Sequence, residues 1–125
     1  YNSCNVLSLH ALLGAYSDEG AQWLDELRPV LADNIRYACD FIAAHFPGVQ
    51  VMQPQGTYML FLDCAAWLQE HHMTLRELEE RGARAGVIWQ DGAAFAWPDS
   101  IRMNLALPHS RLVEAMERLR VHAFC

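Results

Sequence analysis

The sequence has no lysine: all nine of its basic side chains are arginines. A chain without a side-chain amine cannot hold an aldehyde group as a Schiff base. It also lacks a glycine-rich loop opening a helix, the usual cradle for a phosphate. Basic charge is scarce overall, with nine arginines against fifteen carboxylates and a net charge of −6. No basic cluster or basic amphipathic helix offsets this, which argues against nucleic acid or an anionic membrane as main partner. No apolar run approaches the ~18 residues that a membrane span requires. No charged segment followed by an apolar core opens the chain, so no secretory leader is expected. The four cysteines, Cys4, Cys39, Cys64 and Cys125, are too widely spaced for a CxxC redox pair or a zinc pattern. They are expected as buried free thiols in a reducing, cytoplasmic setting.

What is present reads as a globular core-former. Of 125 residues, 53% are hydrophobic and 19% charged, a composition that suits one domain or a piece of a larger protein. Val6, Leu9, Leu12, Leu13 and Tyr16 have helical spacing, with Asn5 or Ser8 as cap. So apolar a first helix has nothing of its own to bury against, which favours truncation of a longer protein. Ser17 to Gly20 reads as a break. A long helix is expected from about Ala21 to Phe46, its apolar stripe running through Leu24, Leu27, Leu31, Ile35, Ala38 and Ile42. Pro29 inside it predicts a kink or break near Leu27, and Pro47-Gly48 ends it.

Strands are predicted over Val49–Gln53 and Thr57–Cys64, joined by the Pro54-Gln55-Gly56 turn and pairing antiparallel. Ala65–His72 reads as a short helix. Thr74 and Glu77 form a capping box for a helix running to about Ala85. His71 and His72, with His45 or Cys64, are the obvious metal candidates. Adjacent positions on a helix point about 100° apart and do not chelate one ion, so no metal site is expected. A final helix is expected to be capped by Ser110 and to bury Leu112, Ala115, Met116 and Leu119.

The most informative stretch is GVIWQDGAAFAWPDSIRMNLALP, Gly86 to Pro108. Val87-Ile88-Trp89 reads as a strand and Asp91-Gly92 as a turn. From Ile101 the chain alternates, with Ile101, Met103, Leu105 and Leu107 on one face and Arg102, Asn104 and Ala106 on the other. Arg102 is the one arginine set in a strand pattern. A guanidinium there suits bidentate binding of a carboxylate. A solvated sheet face, or pairing with an internal Asp or Glu, accounts for it as well. His109 lies either near that site or simply in the first turn of the last helix.

These residues also carry a family resemblance. AGVIWQDGAAFAWPDSIRMNLALPHSRLVEAMERL is similar to the C-terminal end of the MalY/PatB-type pyridoxal-phosphate C–S lyases, of the class I/II aminotransferase superfamily, fold type I. Relatives read close to "aGV.L.dG..FG..g..R.N.A.P...L.eAl.RL". QGTYMLFLDC resembles their "P-x-G-T-Y-L-x-W-L-D" strand, and Trp23, Leu24 and Asn34 their "W-L…L…N" helix. The resemblance implies that Arg102 binds the substrate α-carboxylate, with Asn104 on the same face as a second candidate that holds the guanidinium. It implies pyridoxal 5'-phosphate as cofactor, on a lysine outside this chain. This chain departs from the family at Phe95-Ala96-Trp97-Pro98, where relatives have "FG" and small residues, so Trp97 is expected to reshape the pocket.

The architecture expected is α+β: a small, mainly antiparallel sheet covered by helices on one face. Residues 1–17 are expected to be a remnant of the large cofactor-binding domain, and 18–125 the small domain with the interdomain helix. The implied reaction is α,β-elimination from a cysteine S-conjugate such as cystathionine. An aminotransferase is the first alternative and a non-catalytic α+β ligand-binding module the second. The partner is an amino-acid substrate with a free carboxylate, the longer enzyme a homodimer, and this chain alone inactive.

Overall fold

A computed structural model describes residues 4–125. Its elements are α1 (Val6–Ala15), α2 (Asp18–His45), β1 (Gln50–Val51), β2 (Met59–Asp63), α3 (Ala65–Glu70), α4 (Leu75–Arg84), β3 (Gln90–Asp91), a 3-10 turn (Gly92–Phe95), β4 (Ser100–Asn104) and α5 (His109–His122). The four strands form one antiparallel sheet in the order β1-β2-β4-β3. The α+β architecture expected from the sequence is therefore the one observed.

The sheet has one dry and one open face. Leu60 and Leu62 of β2 lie opposite Met103 and Ile101 of β4, and all four are buried in one core. Against them pack Ile35, Ala38 and Ile42 of α2, Trp67 of α3, Leu78 of α4 and Leu112, Met116 and Leu119 of α5. Phe46 stacks on Phe124 at 4.2 Å and closes the core between the end of α2 and the chain's C-terminal residues. On the other face, Phe61 lies opposite Arg102, and both are only half-buried. Period-2 alternation produces this split, since successive side chains point to opposite sides of a sheet.

Helix α2 starts earlier than its apolar stripe. Ser17 is its N-cap, accepting the Gly20 N–H at 3.2 Å, and Asp18 and Glu19 fill the first turn, where carboxylates favour the helix dipole. What reads as a break is thus a start signal. The helix also runs through Pro29 without the expected break. Proline removes the bond to the Asp25 carbonyl, but both residues are exposed, so water replaces it. No residue of α2 before Asn34 is buried.

Other differences are local. Val87–Trp89 is not a strand. Gly86 ends α4 with φ +80°, its N–H bonds the Ala83 carbonyl and the Val87 N–H bonds that of Gly82, a Schellman closure. Trp89 then folds over Gly82, where a Cβ would meet the indole at 2.3 Å. The cap of α5 is Pro108, whose carbonyl takes the Arg111 and Leu112 N–H groups, and not Ser110. The capping box is as expected: Thr74 N–H donates to Glu77 Oε2 at 2.7 Å and Glu77 N–H to Thr74 Oγ1 at 3.3 Å. Thr74 N–H and the Thr74 hydroxyl, which also donates to Glu77 Oε2 at 2.7 Å, hold the Glu77 carboxyl below its usual range.

Helix α1 stands apart. None of its residues is buried; Leu7 is 81% exposed and Tyr16, just beyond it, 86%. Among the described residues no helix is long and apolar enough to cross a membrane.

Candidate functional site: a guanidinium on the open sheet face

Seven of the nine arginines pair with a carboxylate three or four residues away on their own helix. Such exposed pairs contribute little to stability, but they do occupy the charge. Arg102 and Arg81 have no carboxylate within 4.0 Å among the described residues. Arg81 points to the end of the chain, where it donates to the Ala123 carbonyl at 3.5 Å. Arg102 stands in the middle of the open sheet face. Internal pairing with an Asp or Glu is therefore not what this arginine is for.

Two neutral groups hold it. Gln90, directly across in the β3–β4 register, accepts a hydrogen bond from Arg102 Nη1 through Oε1 at 2.8 Å. The Phe95 ring lies under the guanidinium, 4.4 Å from centroid to Cζ, a cation–π contact. Phe95 in turn meets Phe61 edge-on at 5.8 Å, and Phe61 stacks on Trp97 at 5.8 Å. The 3-10 turn that carries Phe95 is started by Asp91, whose carboxylate accepts the Ala93 N–H at 2.7 Å. It lies so close to β4 that a Cβ on Gly92 would stand 1.8 Å from Ser100 Oγ. Gly92 is needed there for the close approach.

A guanidinium has five N–H donors in a fixed fork, and a carboxylate uses two of them. With one donor spent on Gln90, the geometry leaves room for a bidentate carboxylate. Beyond Phe61 and Trp97 the same face holds a trough of about 350 Å³, lined by Met52, Pro54, Thr57 and Met59 among others. Trp97 lines this trough and stacks on Phe61.

No hydrogen bond joins the Arg102 guanidinium to Asn104 among the described residues. Its Oδ1 accepts the Ala106 N–H at 2.8 Å and turns the chain at the end of β4. His109 is structural: Nδ1 bonds Asn34 Oδ1 at 3.0 Å and the ring meets Tyr37 edge-on at 5.1 Å. Asn34 is fully buried and donates through Nδ2 to the carbonyls of Leu105 and Leu107, both at 2.9 Å. It ties the segment after Arg102 to α2. His71 stacks on Trp67 at 4.0 Å and bonds its carbonyl at 2.8 Å. No cluster of three or more His, Cys, Asp or Glu side chains is placed to hold a metal among the described residues. All four cysteines are free, but only Cys64 is buried. Burial, then Asp63 and Asp99, push its thiol up to about 12, which leaves it unreactive.

Gln90 escapes a reading of the sequence, as do the contacts of Phe95 and Asn34, which the family resemblance marks without saying what they touch. Gln90 faces Arg102 through a strand register that depends on how the 3-10 turn is closed. Asn34 sits on an apolar stripe, and a polar residue on such a stripe is a signal beside its place in the family's helix pattern.

The family model described as aminotransferase class I and II matches residues 1–119. Protein MalY of Escherichia coli K12 is 33% identical over 122 residues, covering 94% of this chain and 30% of MalY. Cystathionine beta-lyase PatB of Bacillus subtilis is 28% identical over 119 residues, covering 93% of this chain and 30% of PatB. The PLP-bound C–S lyase of Staphylococcus hominis superposes with a TM-score of 0.84 at 25% identity, over 97% of this chain and 32% of that one. The chain therefore spans about 30% of the length of these curated relatives.

Proposed function

Since the chain belongs to the class I and II aminotransferase family, we propose that it is the carboxylate-binding part of a longer pyridoxal-phosphate C–S lyase. The reaction would be α,β-elimination from a cysteine S-conjugate such as cystathionine, which with water yields a thiol, pyruvate and ammonia. The observation that carries the reading is Arg102: a half-buried guanidinium on an open sheet face, oriented by neutral partners and claimed by no carboxylate among the described residues. Supporting it are the similarity to a protein named cystathionine beta-lyase and to a PLP-bound C–S lyase.

The residues present do not make a cofactor site. There is no lysine to form the Schiff base, and the long helix α2 opens on Asp18 and Glu19, which repel a phosphate. On this reading the cofactor is held by residues outside the chain, and the chain alone is inactive. What its own residues do is bind and orient: Arg102 grips the α-carboxylate, and the Phe61–Phe95–Trp97 cluster walls the cation from one side, so the substrate is presented in a single pose. Residues 18–125 would be the small domain. Residues 1–17, of which 1–3 lie outside the described residues, would belong to the large one. The unburied, apolar α1 supports that division, since a helix apolar all round is built to be enclosed. A homodimer in the cytoplasm completes the proposal, and the four free thiols fit a reducing compartment.

The test is turnover of L-cystathionine by the longer protein with Arg102→Ala. Loss of a charge-assisted bidentate pair costs on the order of 2–4 kcal/mol in kcat/KM, while cofactor loading stays the same. Unchanged KM and kcat would refute the assignment. The family description also covers aminotransferases. Amino transfer to a 2-oxo acid without thiol release would select that chemistry, with the same arginine role.

A further inference from the structure

We infer that Gln90 is a positioning residue, whose side-chain oxygen fixes the Arg102 guanidinium, at full charge, in the orientation that receives a carboxylate. The inference rests on the proposed role of Arg102. It begins from the register: β3 is a two-residue edge strand, and its pairing places Gln90 directly opposite Arg102. Gln90 Oε1 then takes Nη1 at 2.8 Å while Phe95 supports the guanidinium plane from beneath at 4.4 Å. One corner and one face are thereby held, and a long, rotamer-rich side chain loses most of its freedom before any ligand arrives.

The acceptor's neutrality matters as much as its place. Seven of the eight arginines on the helices are met by Asp or Glu. Across from Arg102 the strand carries an amide. An amide carbonyl orients the fork without cancelling its charge, whereas a carboxylate at the same distance would be an internal competitor for the substrate. The turn that holds this arrangement leaves little slack. Asp91 caps it and Gly92 has no room for a Cβ against Ser100, so Gln90 and Phe95 are delivered together.

The experiment uses the longer, cofactor-loaded protein with Gln90→Glu, Gln90→Ala and Arg102→Ala. Two quantities are read: the KM-against-kcat split for L-cystathionine, and the calorimetric Kd for 3-(methylsulfanyl)propanoate, a carboxylate without an amino group. Gln90→Glu should raise both KM and Kd about tenfold or more, with kcat held within about threefold. Gln90→Ala, which loses the orientation but keeps the charge, should raise them about three- to fivefold. Melting temperatures should stay within a few degrees of the parent. If Gln90 merely pairs two strands, both variants lower the melting temperature and leave Kd alone, and the inference falls. If Arg102→Ala weakens Kd while Gln90→Glu does not, the inference alone falls. If Arg102→Ala leaves Kd unchanged, the proposed function falls with it.

Discussion

Replacing Asn34 by alanine tests whether the segment after Arg102 is held by side-chain hydrogen bonds or by apolar packing alone. Asn34 is fully buried. Its amide donates to the Leu105 and Leu107 carbonyls at 2.9 Å each, and its oxygen meets His109 Nδ1 at 3.0 Å. Each made bond contributes about 1 kcal/mol net, and a buried group left unpaired costs about 1–3 kcal/mol. The Leu105 bond is buried and the other two are partly so, so one full and two partial penalties apply. The sum is about 2–4 kcal/mol. With a urea slope of about 1.5 kcal/mol per molar, the midpoint should fall by about 1.3–2.7 M. Urea unfolding followed by the fluorescence of the buried Trp67 reads this directly. Asn34→Asp should be worse near neutral pH, because an ionised carboxylate cannot donate and would face two carbonyl oxygens. A loss under about 1 kcal/mol for Asn34→Ala would show that packing of Leu105 and Leu112 carries the segment and would refute the reasoning.

Two further outcomes are expected. Ala96 closes the 3-10 turn with φ +60°, a left-handed conformation that costs an L-residue about 1–2 kcal/mol. Ala96→Gly should therefore raise stability by about 1 kcal/mol after the glycine's greater freedom in the unfolded chain is deducted, and an equal or lower urea midpoint would contradict it. Glu77 titrates below its usual value of 4.5 because it accepts the Thr74 bonds. Its folded pKa is depressed, so its contribution to the start of α4 is complete above the ordinary carboxylate range and is lost as pH falls through the folded value. The Thr74 amide resonance should shift with an apparent pKa below 4.5, and a midpoint at or above 4.5 would contradict the capping geometry.

The resemblance of Gly86–Leu119 to a known family was legible in the residues, and so were the local rules. Thr74 and Glu77 sit three apart, which is all a capping box needs. Ile101, Met103 and Leu105 alternate with Arg102 and Asn104, and burial follows that alternation. The missing lysine is a fact of composition. Less legible were features that depend on what solvent or a distant strand does. Pro29 stays inside α2 because the freed Asp25 carbonyl faces water, and spacing alone does not report exposure. Val87–Trp89 has the composition of a strand, yet Gly86 turns the chain and Trp89 is drawn over Gly82.

By itself, then, the sequence determined most of the kinds of element, the sheet face on which Arg102 stands, and the absence of any lysine. Each of these follows from near-neighbour spacing or residue count. Only the tertiary structure decided what Arg102 touches. Gln90 reaches it across a strand register, and Phe95 through the closing of a turn. Asn34 anchors the next residues from a helix 71 positions away. Contacts of that range are set by how the layers pack, and no local pattern encodes them.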